Sequence, residues 1–327
     1  MNGCMETDLP QIAILMAVYE PRLDWLRAQL LSLNAQTYPK LRLYIREDGS
    51  PTVPFETISA CVAECIRAFP YTLERNEKNL GSNLTFQRLT EEAEGAYFAY
   101  CDQDDVWLPE KLTVLQEALE RENALLVCSD MSVIDGDGAL TAHSITQVRR
   151  HHVFRSGEDL AQGLLTHNFV SGCAMLVPSE AAKAAVPFCP DMVHDHYLAL
   201  WCAERGRLVS LSRPLLQYRI HGGNQTGILS GVTDKASYGR VRIDGALDKL
   251  RWLSAHFPCR EETRRVIAEQ TLWLEARRRW WNHQGGGATV WKYRRFSPLP
   301  SMAELALRFA PEWIFRKAVA LARRNRV

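Results

Sequence analysis

Short apolar runs alternate with amphipathic segments through the first 130 residues, and this alternation constrains the fold more than any other feature of the chain. Residues 11–18 (QIAILMAV), 41–46 (LRLYIR), 71–74, 96–101 (AYFAYC) and 124–129 read as strands. Residues 22–36, 55–69, 82–94 and a segment opened by Pro109 read as the helices between them. Runs without polar alternation indicate strands covered on both faces, as in parallel sheets. Strand and helix in strict succession predict an α/β fold: a Rossmann-like, mainly parallel central sheet flanked by helices.

Beyond Asp130 the alternation loosens. Asp135-Gly-Asp-Gly138 is a turn without the spacing of a calcium loop. Residues 173–177 and 208–211 read as strands, 194–205 as a helix and 217–225 (QYRIHGGNQ) as a polar loop. From residue 227 the chain predicts helices over 246–257, 261–283 and 302–324, the last with one apolar face including Leu305, Phe309, Trp313, Val319 and Leu321. Two domains are expected, residues 1–226 and a helical basic and aromatic appendage, residues 227–327.

Composition excludes several classes. A net charge of +1 argues against a whole-surface nucleic-acid binder. The nine cysteines lack metal-ligand pairing and read as reduced thiols. No run approaches the roughly 20 apolar residues that span a bilayer. The polar start MNGCMETDLP does not resemble a leader, so the expectation is a cytoplasmic protein. No Gly-x-Gly-x-x-Gly or P-loop sequence follows the first strand.

The chemistry concentrates in Asp102-Gln-Asp-Asp105, directly after the fourth strand. Three carboxylates in four residues repel and raise one another's pKa. A bound divalent cation removes that cost, and hard cations keep oxygen ligands and substrate phosphates in their shell. Ligands of open α/β sheets bind beyond the carboxyl ends of the strands. Tyr19 and Asp48 follow the first and second strands, so three strand ends are expected to share one crevice suited to a nucleoside diphosphate.

The series ILMAVYEP, LNAQTYPKLRLYIREDGS, NLGSNLTF, EGAYFAYCDQDDVWLPEKL, FVSGCAMLV, HDHYLALW and YRIHGGNQT, within residues 11–226, resembles glycosyltransferase family 2 and its GT-A fold. The likeness is strongest to bacterial rhamnosyltransferase-type members. It implies an inverting transferase that uses a UDP- or dTDP-sugar, with rhamnose a candidate sugar, and a divalent metal, Mn²⁺ or Mg²⁺. In that frame Tyr19 lies against the donor base and Asp48 contacts it. Asp102 and Asp104 bind the donor, while Asp104, Asp105 and His221 hold the metal. Asp195 is the base that deprotonates the acceptor. Gly172 and Cys173 match the acceptor-side loop, Arg219 and Asn224 contact phosphate, and Trp107 either stacks on sugar or packs inside. The acceptor implied is a bacterial surface glycan or lipid-linked glycan, with peripheral membrane contact through the C-terminal helices. The rival readings are a noncatalytic nucleotide-sugar scaffold and a metal-dependent nucleotidyltransferase. Glu20-Pro21 and Pro51-Thr52 depart from the usual family pattern.

Overall fold

A computed structural model describes residues 9–149, 152–221 and 231–324. The chain divides into two compact units. The first comprises Met1–Leu160, Asn168–Phe188 and Val193–His221; the second comprises Ala161–His167, Cys189–Met192 and Gly222–Val327.

In the first unit the strands are β1 (Ile12–Val18), β2 (Leu41–Glu47), β3 (Tyr71–Arg75), β4 (Tyr97–Cys101), β5 (Val106–Trp107), β6 (Leu126–Ile134), β7 (Leu140–Ala142), β8 (Met175–Pro178) and β9 (Leu208–Arg219). They form one sheet in the order β3-β2-β1-β4-β8-β6-β9-β5, with β7 paired to β6. β3, β2, β1 and β4 are parallel, with Ile12 opposite both Leu41 and Tyr97. The helices Leu23–Asn34, Phe55–Cys65, Ser82–Glu92 and Lys111–Arg121 connect the strands of this half. Ile12, Ile14, Met16, Leu30, Leu43 and Leu115 belong to a core with essentially no solvent exposure.

Two element bounds depart from the sequence expectation, and the strand order adds a feature that the pattern did not address. β6 does not lie beside β4; β8 enters between them, antiparallel to both. Consecutive strands are not always neighbours, and apolar pattern carries no information on which edge a strand chooses. β9 runs to Arg219 rather than ending at Leu211, so part of the expected 217–225 loop is strand. Pro214 lies within this strand; it faces Asp130 where the β6–β9 register shifts, and an irregular ladder tolerates the missing N–H there. The fourth helix starts at Lys111, with Pro109 in the preceding turn.

The second unit contains helices Gly245–His256, Glu261–Trp281, Pro298–Leu307 and Glu312–Arg324. The single helix expected over 302–324 is broken, because Pro311 has no N–H for the carbonyl four residues back. The expected apolar face is corrected as well. Phe315 and Val319 are buried with Val232, whereas Phe309, Trp313 and Leu321 are exposed. No helix among the described residues is long and apolar enough to cross a membrane.

Candidate active site

The carboxyl ends of β1, β2, β4 and β9 bring the candidate residues together. β9 points the same way as β4, because β8 is antiparallel to both β4 and β6 while β6 and β9 are parallel. At the end of β1, Tyr19 is exposed, and its backbone is held by Gln103. The Tyr19 N–H donates to Gln103 Oε1 at 2.8 Å, and Gln103 Nε2 donates to Tyr19 O at 2.9 Å. Gln103, the uncharged residue of the aspartate run, thus ties the β4 end to the β1 end.

Asp48 is buried and fastens the neighbouring loop. Its Oδ1 accepts from Asn76 Nδ2 and the Leu80 N–H, each at 2.8 Å, and its Oδ2 from the Gly81 N–H at 2.9 Å. A carboxylate offers about four acceptor positions, so most of this one is occupied within the protein. Gly49 must be glycine: its φ is +71°, and a Cβ would lie 2.9 Å from Asn79 N. The two departures from the family pattern are partners of each other. Glu20 Oε1 accepts from the Thr52 N–H at 2.8 Å, and its Oε2 accepts from the Thr52 hydroxyl.

The aspartate run splits by environment. Asp104 Oδ2 is 2.7 Å from His221 Nε2, and the His221 ring packs on Trp25 with centroids 4.7 Å apart. Asp105 is wholly buried, and its Oδ1 accepts the Arg219 N–H at 3.0 Å. Its Oδ2 has no N–H or O–H donor among the described residues, and the Cys173 thiol lies beside the carboxyl. Burial, then the charge of Asp104, pushes the Asp105 pKa up to about 7. Asp102 is raised well above the usual range by burial and by Asp105, Asp104 and Asp195. Donor atoms of Asp102, Asp105 and Cys173 lie within 4.8 Å of one another. Burial keeps the Cys173 thiol protonated, which makes its sulfur a poor ligand. Asp104, Asp105 and His221, expected to act as one ligand set, therefore sit in two surroundings.

Arg219 is committed to backbone. Its Nε donates to Asp104 O at 2.8 Å and its Nη1 to Asp135 O at 2.9 Å, and it is buried. Trp107 is also buried, which favours the packing role over sugar stacking. On its ring lies Lys111 Nζ, 3.0 Å from the centroid, which also donates to Cys173 O. Lys111 is fully buried, and desolvation lowers its pKa to about 7 against the pull of nearby acidic groups, Asp105 and Asp102 among them. In the sequence Lys111 stands within the run EGAYFAYCDQDDVWLPEKL, with no role of its own. The signal was the helix start, which returns a lysine beneath the acidic run.

Asp195 lies in the first turn of helix His194–Ala203 rather than at its cap, which is Val193. Its Oδ2 accepts the Gly172 N–H at 2.9 Å and its Oδ1 accepts from Asn168 Nδ2 at 3.1 Å. Burial raises its pKa to about 6 despite these bonds. Asn168 was another residue missed from sequence, since no spacing rule links it to Asp195. His194, packed 4.0 Å from the Phe86 ring, is held neutral by burial, with its pKa lowered to about 3. Asn224 lies outside the described residues.

Gly172 is the close approach of this corner: a Cβ there would stand 2.6 Å from His194 Nε2 and 3.5 Å from the Asp195 Cβ. Gly172→Ala is expected to cost about 1–3 kcal/mol and to lower turnover by displacing Asp195. Urea unfolding and initial rates check both; wild-type values for each would show that the corner yields freely.

The chain is similar to known proteins in sequence and in fold. Glycosyl transferase family 2 matches residues 13–179. An uncharacterized glycosyltransferase of Rickettsia typhi is 25% identical over 197 residues, covering 59% of this chain and 58% of the relative. One from Nostoc sp. is 26% identical over 208 residues, covering 61% and 62% respectively. The match thus spans about three fifths of these relatives. In fold, the chain is similar to S. aureus TarS in complex with UDP-GlcNAc, with a TM-score of 0.57, 13% identity and coverage of 96% of this chain and 89% of that one. It is also similar to the mannosyltransferase PcManGT from Pyrobaculum calidifontis in complex with GDP-Man and Mn²⁺, with a TM-score of 0.56, 15% identity and coverage of 98% and 87%.

Proposed function

Since the chain belongs to glycosyl transferase family 2, we propose that it transfers a sugar with inversion from a nucleoside diphosphate donor, a UDP- or dTDP-sugar, to a glycan or lipid-linked acceptor. The observation that carries this reading is the pairing of Asp195 with the aspartate run. Asp195 lies near enough for its charge to raise the Asp102 pKa, yet it sits on a separate helix with its own hydrogen bonds. Single displacement needs this division: one carboxylate to take the acceptor proton, and a separate anionic locus where the donor diphosphate is bound.

The Gly172 N–H and Asn168 hold the Asp195 carboxyl in one orientation, leaving lone pairs on both oxygens for an incoming hydroxyl. Tyr19, at the open end of β1, offers a ring for the nucleobase. Asp48 shapes the adjoining loop and keeps only part of its acceptor capacity for the base. A divalent cation, when bound, supplies positive charge to the departing diphosphate. The Asp104 and His221 atoms, 2.7 Å apart, form a carboxylate–imidazole pair suited to Mn²⁺. Asp105 and Arg219 position that pair from below.

A panel of UDP-, dTDP- and GDP-sugars with Mn²⁺ or Mg²⁺, read by released nucleoside diphosphate, tests the reading. One donor is expected to be hydrolysed slowly without acceptor, and chelation should stop release. No binding or turnover of any donor would reject the donor site, and undiminished release in chelator would reject the cation.

The proposed acceptor also suits the second unit. Leu299, Phe309 and Trp313 are each at least 60% exposed, and Arg308 and Lys317 lie over the Phe309 and Trp313 rings. Exposed aromatic and basic side chains favour peripheral contact with anionic lipid. Co-sedimentation with anionic vesicles, lost in high salt and absent with neutral vesicles, is expected; equal binding to both would reject this contact.

A further inference from the structure

The second unit contains a cavity of about 830 Å³ lined by none of the residues of the candidate active site. Helices Gly245–His256, Glu261–Trp281, Pro298–Leu307 and Glu312–Arg324 all contribute to its wall. Its volume lies within the range of small-ligand sites. The wall is amphipathic. Trp273, Leu274, Leu307, Phe315 and Val319 supply aromatic and aliphatic surface.

A polar region is built from Lys249, Gln270 and the Leu165-Thr166 segment. Lys249 Nζ donates to Leu165 O at 3.3 Å, and Gln270 Nε2 donates to Thr166 Oγ1 at 2.9 Å. Arg242 lines the same cavity, and its charge, after burial, helps to lower the Lys249 pKa.

The charges of the lining do not cancel. Glu304 is buried in an ion pair with Arg277 and accepts from the Tyr238 hydroxyl at 2.6 Å. Arg242 and Lys249 form no ion pair among the described residues, and Asp191 is the lining's other carboxylate. Two cations against one exposed carboxylate, beside an apolar wall, complement an anionic head joined to a hydrocarbon chain. A neutral apolar ligand would leave Lys249 desolvated without a counter-charge, and a free anion would leave the aromatic wall unused.

We propose that this cavity binds a single-chain amphiphile with a phosphate head, with Lys249 and Arg242 taking the phosphate and the wall formed by Trp273, Phe315 and Val319 taking the chain. This binding is independent of sugar transfer, so it is tested without turnover.

The experiment titrates the full chain with dodecyl phosphate below its micelle threshold and follows tryptophan fluorescence, since Trp273 and Trp281 line the cavity. Saturable binding is expected, with decyl phosphate about fifteenfold weaker, because each of the two missing methylenes contributes roughly a factor of four. Inorganic phosphate should not saturate the site, and dodecyl maltoside should bind at least tenfold more weakly than dodecyl phosphate. Lys249→Gln should weaken binding about tenfold or more. Arg242→Gln, at an exposed position, tests the head contact even if the Lys249 variant fails to fold. Ala318→Phe should fill the chain site without touching the head contacts. The proposal is overturned by no saturable binding, by equal affinity for dodecyl maltoside, by saturation with inorganic phosphate, or by wild-type affinity in both Arg242→Gln and Ala318→Phe.

Discussion

Asp195→Asn is expected to lower turnover by about 10²–10⁴-fold, the usual contribution of a positioned general base, while leaving donor affinity within a few-fold. The donor contacts proposed here lie on the β1, β2 and β4 ends, not on the helix that carries Asp195. The pH dependence follows from burial. With the Asp195 pKa raised to about 6, the base is lost to protonation as pH falls through 6, so the acidic limb of the wild-type profile should break there.

Stability moves the opposite way. The folded state retains a proton on Asp195 between the ordinary aspartate range and about pH 6, so this residue's contribution to stability falls as pH rises through that window. At 1.36 kcal/mol per pH unit the effect is roughly 3 kcal/mol. The Asn variant should therefore lose the kinetic break at pH 6 and unfold with less dependence on pH between 4 and 6. Calorimetric donor titration beside initial rates at several pH values separates the outcomes. Wild-type turnover would remove Asp195 from the base role, and abolished donor binding would make it a donor contact instead.

Lys111→Met should have the largest effect on stability. The substitution keeps the volume of the side chain but removes the buried ammonium group beneath Asp102 and Asp105. Leaving a buried charge without its partner typically costs about 3–5 kcal/mol. Asp105, with its pKa near 7, needs that partner only when ionised. The loss should therefore be greatest near pH 7; at pH 5 Asp105 carries its proton while Lys111, its pKa lowered to about 7 by burial, bears a charge whose desolvation cost the variant removes, so the loss should vanish or reverse. Urea unfolding at both pH values measures it, and adding Asp105→Asn should recover part of the loss at pH 7 through non-additivity. An unchanged midpoint at pH 7, or an identical loss at both pH values, would show that Lys111 is held by Trp107 and the Cys173 carbonyl rather than by the acidic run.

Local pattern was a sufficient guide to the first half of the fold. The runs ending in Val18, Glu47 and Cys101 became parallel strands near their expected bounds, because an uninterrupted apolar run between turn residues has few other ways to bury itself. Pattern failed where two elements had to be weighed against each other. β9 continues past Leu211 through Pro214 because β6 supplies an irregular ladder there, and β8 could not be placed between β4 and β6 from its own four residues. In the second unit, Trp313 and Leu321 lie on a different face of their helix from Val319, whose partner on the buried face is Phe315, four residues earlier.

The same division holds for the site. Acidic residues crowded after a strand are visible in one dimension, because the repulsion between them depends on chain proximity alone; so are the carboxyl ends of strands. Which aspartate is buried, that Asp104 meets His221 while Asp105 meets the Arg219 backbone, that Gln103 clasps Tyr19, and that Asn168 and Gly172 aim Asp195 are long-range facts. The residue pattern sufficed for an α/β sheet with carboxylates clustered beyond the carboxyl end of its fourth strand. The tertiary structure alone decided the surroundings of each carboxylate, because desolvation and hydrogen bonding are set by residues tens of positions away in the chain.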